Sequence, residues 1–330
     1  MIVLAGDIGG TKTNLGIFEV QNSQLTSLHE LTWPSSDFSC LEEIITLFLQ
    51  TVQKDTKLQI VSACFGIAGP VNDNRCEVTN LPWIIDAQSI QQKFGWLSVN
   101  LLNDLEANAW GITALDEADF VTLNQGNNLQ GNASIISAGT GLGEAGLFWD
   151  GQQHIPFASE GGHTDFSPTT EQEYRLQQFL RKKYNGHVSW ERIVSGMGLE
   201  NLYQFLCSEQ NAQPPVWLAE QMEQGDAAAT ISKAAMEGRD SLCEQALDWF
   251  VHLYGVEAGN QALKIMSRGG VFLGGGIAPK IIKKLQSGDF IKAFTAKGRM
   301  SHLLEAMTVK VIMNDKTALY GPALYAGMTQ

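Results

Sequence analysis

The sequence predicts an α/β protein of two similar lobes. Short apolar runs, typical of buried strands, alternate along the chain with longer stretches of helical periodicity. A strand, a Gly/Thr turn and a second strand occur twice, around Gly9-Gly10-Thr11 and around Gly139-Thr140-Gly141, about 130 residues apart. The length of 330 residues is comfortable for two domains. We therefore expect two α/β lobes that each present a glycine-rich hairpin and face each other across a cleft.

Strands are predicted where a short apolar run ends at glycine, asparagine or another turn residue. The run at residues 2–5 precedes the first glycine turn, and residues 15–20 resume an extended pattern that ends in a second turn at residues 22–25. The other expected strands are residues 60–66, 99–102, 134–137, 144–149 and 271–273.

Helices are predicted where apolar residues recur every three or four positions. In residues 38–53 these positions are Leu41, Ile44, Ile45, Phe48, Leu49 and Val52. A further helix begins at residues 105–110, directly after a strand. The middle of the chain is mostly helical, and the helices expected there and beyond it are residues 171–183, 189–193, 198–206, 226–237, 240–266, 279–285 and 318–328.

Composition and charge exclude several classes of protein. Apolar residues make up 44% of the chain and charged residues 17%, which suits a large core and argues against disorder. A formal charge of −13 repels nucleic-acid backbones, so phosphate-bearing ligands need local backbone N–H groups, a metal ion or a few cations. Five cysteines without a C-x-x-C pair indicate free thiols in a reducing cytosol. With no signal peptide and no apolar run of ~18 residues, we expect a cytoplasmic protein without a membrane partner.

The two glycine turns predict a nucleotide-phosphate site. Glycine lets backbone N–H groups approach an anion closely, and each turn adds a threonine hydroxyl. The pattern Gly141-x-Gly143-x-x-Gly146 also matches a dinucleotide fingerprint, but a strand, not a helix, is predicted after it. A P-loop is excluded because no G-K-[ST] occurs in the sequence. Plain hairpin turns without chemical meaning stay the alternative for either loop.

Two acidic positions lie at predicted strand ends, where ligands of α/β sheets bind. Asp104, next to Asn103, is placed to accept a hydroxyl proton as a general base while the amide orients a substrate. The alternative is a helix N-cap, which asparagine and aspartate also favour. Asp7 directly precedes the first glycine turn and is placed to hold Mg²⁺ through water. Lys12 either contacts a phosphate or is solvated.

Two polar clusters suit a polyol ligand, because carboxylate, amide and imidazole groups bind adjacent hydroxyls. One contains Glu160 and His163, flanked by glycines, and the other runs from His187 to Glu191. A metal site of His163, Asp165 and His187 and simple hydrogen bonding within the loops are the alternatives.

An ordered set of motifs across nearly the whole chain resembles bacterial glucokinases of the hexokinase and actin-like ATPase superfamily. The motifs lie at residues 7–14, 79–83, 103–104, 139–143, 160–166, 186–192, 195–199 and 269–277. The resemblance implies two RNase H-like lobes with an interlobe cleft: a small α/β domain of residues 1–113 and 314–330, and a large one of residues 114–313 with helical insertions. The family is commonly homodimeric.

The resemblance also implies roles for individual residues. Asp104 is implied to be the catalytic base for the sugar 6-hydroxyl, and the residues implied to bind the sugar are Asn103, Asp104, Glu160, His163, Glu191 and Gly141. The residues implied to bind ATP and Mg²⁺ are Asp7, Gly9, Gly10, Thr11, Lys12, Thr13, Gly139, Thr140, Gly141, Gly274, Gly275 and Gly276. The resemblance places Gly274, Gly275 and Gly276 near the adenosine.

The sequence departs from the family pattern at a few places. It lacks the Cys-rich zinc motif of a related branch, which favours the branch without zinc. Glu144 follows the second glycine loop where an apolar residue is more usual, and an acid near ATP phosphates is unfavourable unless it points away or helps the metal. Residues 314–317 replace an expected Asn-Pro-Gly turn.

The expected reaction is ATP-dependent phosphorylation of glucose at its 6-hydroxyl. A kinase for mannose, fructose or an amino sugar is the alternative. A sugar-sensing regulator is disfavoured, because no helix-turn-helix precedes the first glycine loop and the charge opposes DNA binding.

Overall fold

The computed structural model describes residues 1–22, 24–52 and 58–328. Its strands are β1 (Ile2–Ile8), β2 (Lys12–Gln21), β3 (Gln24–Pro34), β4 (Ser62–Ile67), β5 (Val71–Asn72), β6 (Arg75–Glu77), β7 (Ile84–Asp86), β8 (Ser98–Asn103), β9 (Phe120–Asn124), β10 (Ala133–Ala138), β11 (Leu142–Trp149), β12 (His154–Ser159), β13 (Gly270–Gly274) and β14 (Val309–Ile312).

The α-helices are α1 (Leu41–Val52), α2 (Ala87–Phe94), α3 (Asp104–Gly111), α4 (Glu171–Lys183), α5 (Gly196–Glu209), α6 (Val216–Gln224), α7 (Ala227–Met236), α8 (Ser241–Ile265), α9 (Ile282–Leu285), α10 (Asp289–Thr295), α11 (Ser301–Glu305) and α12 (Thr317–Met328). The chain forms two compact units. The first comprises Met1–Asp119, Ile155–Ala158 and Asn314–Gln330, and the second comprises Phe120–His154 and Ser159–Met313.

The main sheet of the first unit has the strand order β3-β2-β1-β4-β8. β1 and β2 form an antiparallel hairpin, whereas β1, β4 and β8 run parallel. One face of the sheet buries Leu4 and Ile8 against Phe48 of α1, and the other packs Val3 and Ala5 with α3 and α12. Because both faces are covered, the parallel strands are nearly continuous apolar runs.

In the second unit, β11, β10, β13 and β14 repeat the order and directions of β2, β1, β4 and β8, and β9 adds an antiparallel edge. The helix α8 packs on this sheet through buried polar groups. Tyr254 Oη donates to the carbonyl of Ile136 at 3.1 Å, and Gln261 Nε2 donates to that of Ile135 at 3.0 Å. The predicted α/β class and the two glycine hairpins are thereby confirmed.

Some predicted elements differ from the structure. Residues 189–193 were expected to be helical but contain only a 3-10 turn, Trp190–Arg192, because Trp190 N–H donates to the Thr164 carbonyl at 3.0 Å and the segment pairs with the preceding loop. Residues 279–285 divide into a 3-10 turn, Ala278–Ile281, and the short helix α9. The turn expected at residues 22–25 is shorter, since β3 already begins at Gln24. Ser23 in that turn and Gln53 in the first predicted helix lie outside the described residues.

The segment at residues 314–317 starts α12 without proline or glycine. Asn314 Oδ1 accepts the N–H of Lys316 at 2.9 Å, and Thr317 Oγ1 donates to the Asn314 carbonyl at 2.9 Å. This local side-chain turn satisfies backbone groups at the start of the helix. In the described ranges, no helix combines the length and the apolar character that a bilayer crossing needs.

Candidate active site

Asp7, Asn103 and Asp104 lie at one edge of the first sheet. Residues Asp7, Gly66 and Leu102 are aligned across the three adjacent parallel strands β1, β4 and β8. Since neighbouring strands are ~4.8 Å apart, Asp7 lies roughly 10 Å from the end of β8. The parallel direction therefore brings these acids to the carboxyl edge, where the sequence predicted a site.

The structure assigns the helix cap to Asn103. Its Oδ1 accepts the N–H groups of Leu105 at 2.9 Å and Glu106 at 3.2 Å, so α3 begins directly after β8. Asp104 is the first helical residue, and its side chain is exposed. The positive end of the helix dipole stabilises the ionised form of a carboxylate at this position. Asp104 Oδ1 also accepts the N–H of Leu105 at 2.9 Å, so both side chains contact the helix start.

The first glycine turn is supported from inside the protein. Gly9 N–H donates to the Lys12 carbonyl at 3.0 Å, and Ser35 Oγ donates to the Gly9 carbonyl at 2.7 Å. Thr13 is buried, and its hydroxyl lies 3.0 Å from Ser35 Oγ. The Thr13 side chain therefore holds the turn from behind, whereas Thr11 and Lys12 are exposed.

Asp7 occupies a half-buried position suited to a hydrated cation. Its Oδ2 accepts a hydrogen bond from Asn14 Nδ2 at 2.8 Å. Burial raises the pKa of Asp7, and the Asn14 amide and the Lys12 charge oppose that shift. No cluster of three or more His, Cys, Asp or Glu side chains with metal-binding geometry occurs in the described ranges. A single carboxylate suits Mg²⁺, which usually keeps several waters and binds through one or two carboxylates plus substrate phosphates.

In the second unit, two glycine loops lie side by side because β10 and β13 are adjacent parallel strands. Ser137 pairs with Gly274, so the loops at residues 139–141 and 274–276 leave the sheet together. Gly275 has a φ of 79°, and a β-carbon there would overlap the Ala138 carbonyl. Gly196, at the start of α5, donates its N–H to the Gly139 carbonyl at 2.8 Å. Glycine is required at residue 275 for both conformation and space.

Both loops open onto a cavity of about 810 Å³ within the second unit. This volume is typical of small-molecule and cofactor sites. Gly139, Thr140 and Gly276, which the family resemblance implied to bind ATP, line this cavity. The other lining residues were not predicted from the sequence, and they include Met197, Ala227, Ala228, Ala229, Ser232, Lys233, Ile277 and Lys280. The run of three alanines after Asp226, at a helix N-terminus, was the available signal, because small side chains leave space.

Glu160 and His163 lie on a tight turn against β11. Gly161–His163 forms a 3-10 turn, and both predicted sugar-binding side chains are exposed, with 3.8 Å between Glu160 Oε2 and His163 Nε2. A β-carbon on Gly162 would overlap the Leu142 carbonyl. The glycines therefore allow this turn to lie directly on the strand that follows the second glycine loop.

Glu191 contacts the same strand, β11, from a later segment of the chain. Its Oε2 accepts the N–H of Leu142 at 3.1 Å, directly after Gly141. The Glu191 carbonyl accepts a hydrogen bond from Ser195 Oγ at 2.6 Å, which ties the 3-10 turn to the start of α5. Leu142 thus contacts both segments that were predicted to bind a sugar, so the structure brings Glu160, His163 and Glu191 around the second glycine loop.

His187 joins the two polar clusters by hydrogen bonding. Its Nδ1 lies 3.0 Å from Asp165 Oδ1, and its Nε2 lies 3.0 Å from the His163 carbonyl. Both ring nitrogens are therefore engaged within the loops. This arrangement favours loop hydrogen bonding over the alternative of a metal site at His163, Asp165 and His187.

Glu144 points into the second unit, away from the glycine loop. The residue is 2% exposed and lies beside Glu257 of α8, which is also buried. Burial, together with the Glu257 carboxylate, raises the pKa of Glu144 to about 8, although Lys264 opposes the shift. The unusual acid is thus removed from any phosphate at the loop.

Known proteins resemble this chain over nearly its full length. The sequence profile of the glucokinase family matches residues 4–329. A glucokinase of Nostoc sp. is 40% identical over 339 residues, covering 98% of each protein. The crystal structure of a glucokinase from an Antarctic psychrotroph is 29% identical, with a TM-score of 0.87 and 99% of each chain covered. A ROK family glucokinase from Streptomyces griseus, solved with glucose and AMPPNP, shares the fold at 20% identity, with a TM-score of 0.65 and complete coverage of both chains. These similarities confirm the predicted actin-like ATPase fold class, and the chain belongs to the glucokinase family.

Proposed function

We propose that this protein transfers the γ-phosphoryl group of ATP to the 6-hydroxyl of glucose. The observation that carries the proposal is the placement of Asp104, an exposed carboxylate on the first residue of α3 at the carboxyl edge of the sheet. Membership of the glucokinase family supports the reaction and the use of ATP. Phosphoryl transfer needs mainly positioning and electrostatic stabilisation, and both can be supplied by side chains and backbone N–H groups.

Asp104 acts as the catalytic base in this proposal. Its carboxylate accepts the proton of the 6-hydroxyl and orients the oxygen toward the phosphoryl group. The carboxylate lies at the positive end of the α3 helix dipole, and Asn103 holds that helix start in place through its cap. The amide nitrogen of Asn103 is the remaining polar group of that side chain and donates to a sugar hydroxyl.

Glu160, His163 and Glu191 bind the other hydroxyls of the sugar, with Gly141 beside them. The exposure of Glu160 and His163 and the attachment of Glu191 to Leu142 support this assignment. Asn103 and Asp104 complete the set of sugar ligands. A carboxylate that binds two adjacent hydroxyls requires a particular arrangement of those hydroxyls. These residues therefore determine the selectivity between glucose, mannose, fructose and amino sugars.

ATP binds through the glycine loops. The cavity of about 810 Å³ accepts the adenosine between α7 and the loop at residues 274–276. Backbone N–H groups of Gly10, Thr11, Thr140 and Gly141 hold the phosphates. The N–H groups of Gly9 and Gly139 close the two loops by donating to the carbonyls of Lys12 and Gly141, and Thr13 supports the first turn. Lys12 supplies a positive charge to a molecule whose net charge is −13.

Asp7 holds Mg²⁺ through water in this proposal. A bound Mg²⁺ offsets the negative charge of the phosphate oxygens. The Asn14 amide fixes one carboxylate oxygen and leaves the other for the hydrated ion.

We further propose that each chain has two lobes, formed by residues 1–113 with 314–330 and by residues 114–313. We also propose that the protein is a cytoplasmic homodimer that binds neither nucleic acid nor membranes. The two compact units support the division, and the acidic net charge supports the lack of nucleic-acid binding. Light scattering after size-exclusion chromatography tests the dimer, since a mass of one chain contradicts it.

A coupled assay that follows ADP release in the presence of ATP and Mg²⁺ tests the function on a panel of glucose, mannose, fructose and glucosamine. We expect glucose to give the highest kcat/KM. In Asp104→Asn, kcat should fall by about 10³-fold or more while glucose affinity stays within a few-fold. Asp116→Asn, an exposed aspartate of the same unit, is the matched control and should behave as the wild type. Near-normal turnover in Asp104→Asn would contradict the assignment of the base.

A further inference from the structure

Glu144 and Glu257 form a buried carboxyl pair that the proposed reaction does not use. Glu144 is 2% exposed on β11 and Glu257 is 0% exposed on α8, and the two groups interact directly. The Oε1 atoms of both residues are buried and have no hydrogen-bond partner among the described residues. Buried polar atoms without partners are costly, and a proton shared between adjacent carboxyl groups removes that cost.

The two members of the pair are held very differently. Glu257 Oε2 accepts a hydrogen bond from Asn260 Nδ2 at 2.8 Å, and its Oε1 lies 3.7 Å from Lys264 Nζ. Lys297 also lies near Glu257, and its Nζ donates to Oδ1 of the same Asn260 at 2.7 Å. Glu144 lies opposite Glu257 of α8, and its Oε1 has no hydrogen-bond partner among the described residues. Of the two carboxyl groups, Glu144 is therefore the one that moves when the pair repels.

On its other side Glu144 touches the sugar-binding turn. A β-carbon on Gly161 would overlap Glu144 Oε2, so the carboxyl group lies against the backbone at the centre of residues 160–163. Gly161 also receives the hydroxyl hydrogen bond of Thr164 at 2.7 Å and anchors the turn through it. Any outward movement of the Glu144 carboxyl group displaces Gly161, and with it the exposed side chains of Glu160 and His163.

We propose that Glu144 is a positioning residue for the sugar-binding turn at residues 160–163 and acts in this way only while it shares a proton with Glu257. The inference rests on the proposed function, because it assumes that Glu160 and His163 bind the sugar. With the proton present, the pair is neutralised and the turn lies against β11. Loss of the proton leaves two adjacent buried carboxylates, and the repulsion pushes Glu144 against Gly161.

Among the described residues, the other charged and titratable groups near the pair come from α8, from the segment after α10 and from the turn at residues 160–163, where Glu160 and His163 are exposed. On α8 they are Tyr254 and Lys264. The Glu144 charge raises the pKa of Tyr254, and Lys264 favours the ionised form of both carboxylates. Lys297 faces Glu257 from the segment after α10. Burial raises the pKa values of both glutamates, so the sharing of a proton persists at neutral pH. Sugar affinity should accordingly weaken under alkaline conditions.

The test is glucose binding without nucleotide, measured by calorimetry between pH 6.5 and 9.5. We expect the wild-type Kd to rise by about tenfold above pH 8. Glu144→Gln keeps the shape of the protonated acid, and its Kd should stay constant over this range. Glu257→Gln removes the carboxylate that repels Glu144, so its Kd should also stay constant over this range. Glu220→Gln, an exposed glutamate on α6, is the matched control and should follow the wild type.

A wild-type Kd that is independent of pH, or the same rise in Glu144→Gln, would overturn this inference and leave the proposed function intact. Absence of glucose binding at every pH, in wild type and variants alike, would overturn the proposed function together with the inference. Melting temperatures measured at each pH separate a shift of the turn from unfolding of the protein.

Discussion

The side-chain oxygen of Asn103 accepts the backbone N–H of Leu105 at 2.9 Å. The oxygen is also bonded to the N–H of Glu106, so the helix cap takes up the acceptor of this amide and leaves its NH₂ group for a ligand. The helix cap is thus observed, and the sugar contact of the same side chain belongs to the proposed function. On that proposal, stability and sugar affinity depend on different atoms of Asn103, and substitutions can separate them.

Asn103→Ser should reduce sugar affinity without destabilising the protein. Serine caps helices about as well as asparagine, whereas it lacks the amide donor. We expect glucose KM to rise about tenfold and the melting temperature to stay within the error of measurement. Asn103→Ala loses both functions and should also lose about 1 kcal/mol of unfolding free energy. Steady-state kinetics and urea unfolding of both variants test this, and equal destabilisation by serine and alanine would contradict the assigned cap.

The sequence indicated most of the strands and long helices that position the site, because these have strong periodicity. Buried runs such as residues 134–137 end at glycine loops, and the hairpins follow from the repeat of strand, turn and strand. Glycine and acidic residues at strand ends also predicted a candidate ligand site at the edge of each sheet. The predicted roles of these residues stay proposals.

Features that depend on long-range pairing were missed. The turn Trp190–Arg192 takes its conformation from pairing with residues 164–166, which local sequence does not report. In the edge strand β3, apolar and polar residues alternate only weakly, because most of its side chains are exposed. The opposition of Glu144 and Glu257, 113 residues apart in the sequence, arises only when α8 packs on β11.

Gly141→Ala should weaken sugar binding through Glu191. A β-carbon at residue 141 would lie 2.5 Å from Glu191 Oε2, so the carboxylate must leave its hydrogen bond with Leu142. We expect glucose KM to rise at least tenfold, since a hydrogen bond to a charged group contributes about 1.5–3 kcal/mol. Gly225→Ala is the matched control, because its β-carbon would lie 3.5 Å from the nearest atom, the Gln221 carbonyl oxygen. An effect on ATP KM alone would place Gly141 at the phosphates only.

Ala229→Leu should weaken ATP binding selectively. Ala229 lines the cavity of about 810 Å³, and leucine keeps the helix propensity of α7 while it fills space that the adenosine needs. We expect ATP KM to rise about tenfold with little change in glucose KM, because overpacking a site costs about 1–3 kcal/mol. Ala219→Leu, at an exposed position of α6 outside the cavity, is the control. Unchanged ATP KM in Ala229→Leu would exclude this cavity as the nucleotide site.

Glu144 should make the stability of the protein depend on pH. Its pKa is raised to about 8 in the folded state from an ordinary value of 4.5, so between these values the folded protein binds one proton more than the unfolded chain. The free energy of unfolding then falls as pH rises, by up to about 1.4 kcal/mol per pH unit, and the decline ends above pH 8. Urea unfolding at pH 6 and pH 8 should show the wild type losing about 2–3 kcal/mol relative to Glu144→Gln, whereas Glu220→Gln should follow the wild type. Parallel stability curves for the wild type and Glu144→Gln would mean that Glu144 is already ionised at pH 6, and they would remove the physical basis for a shared proton.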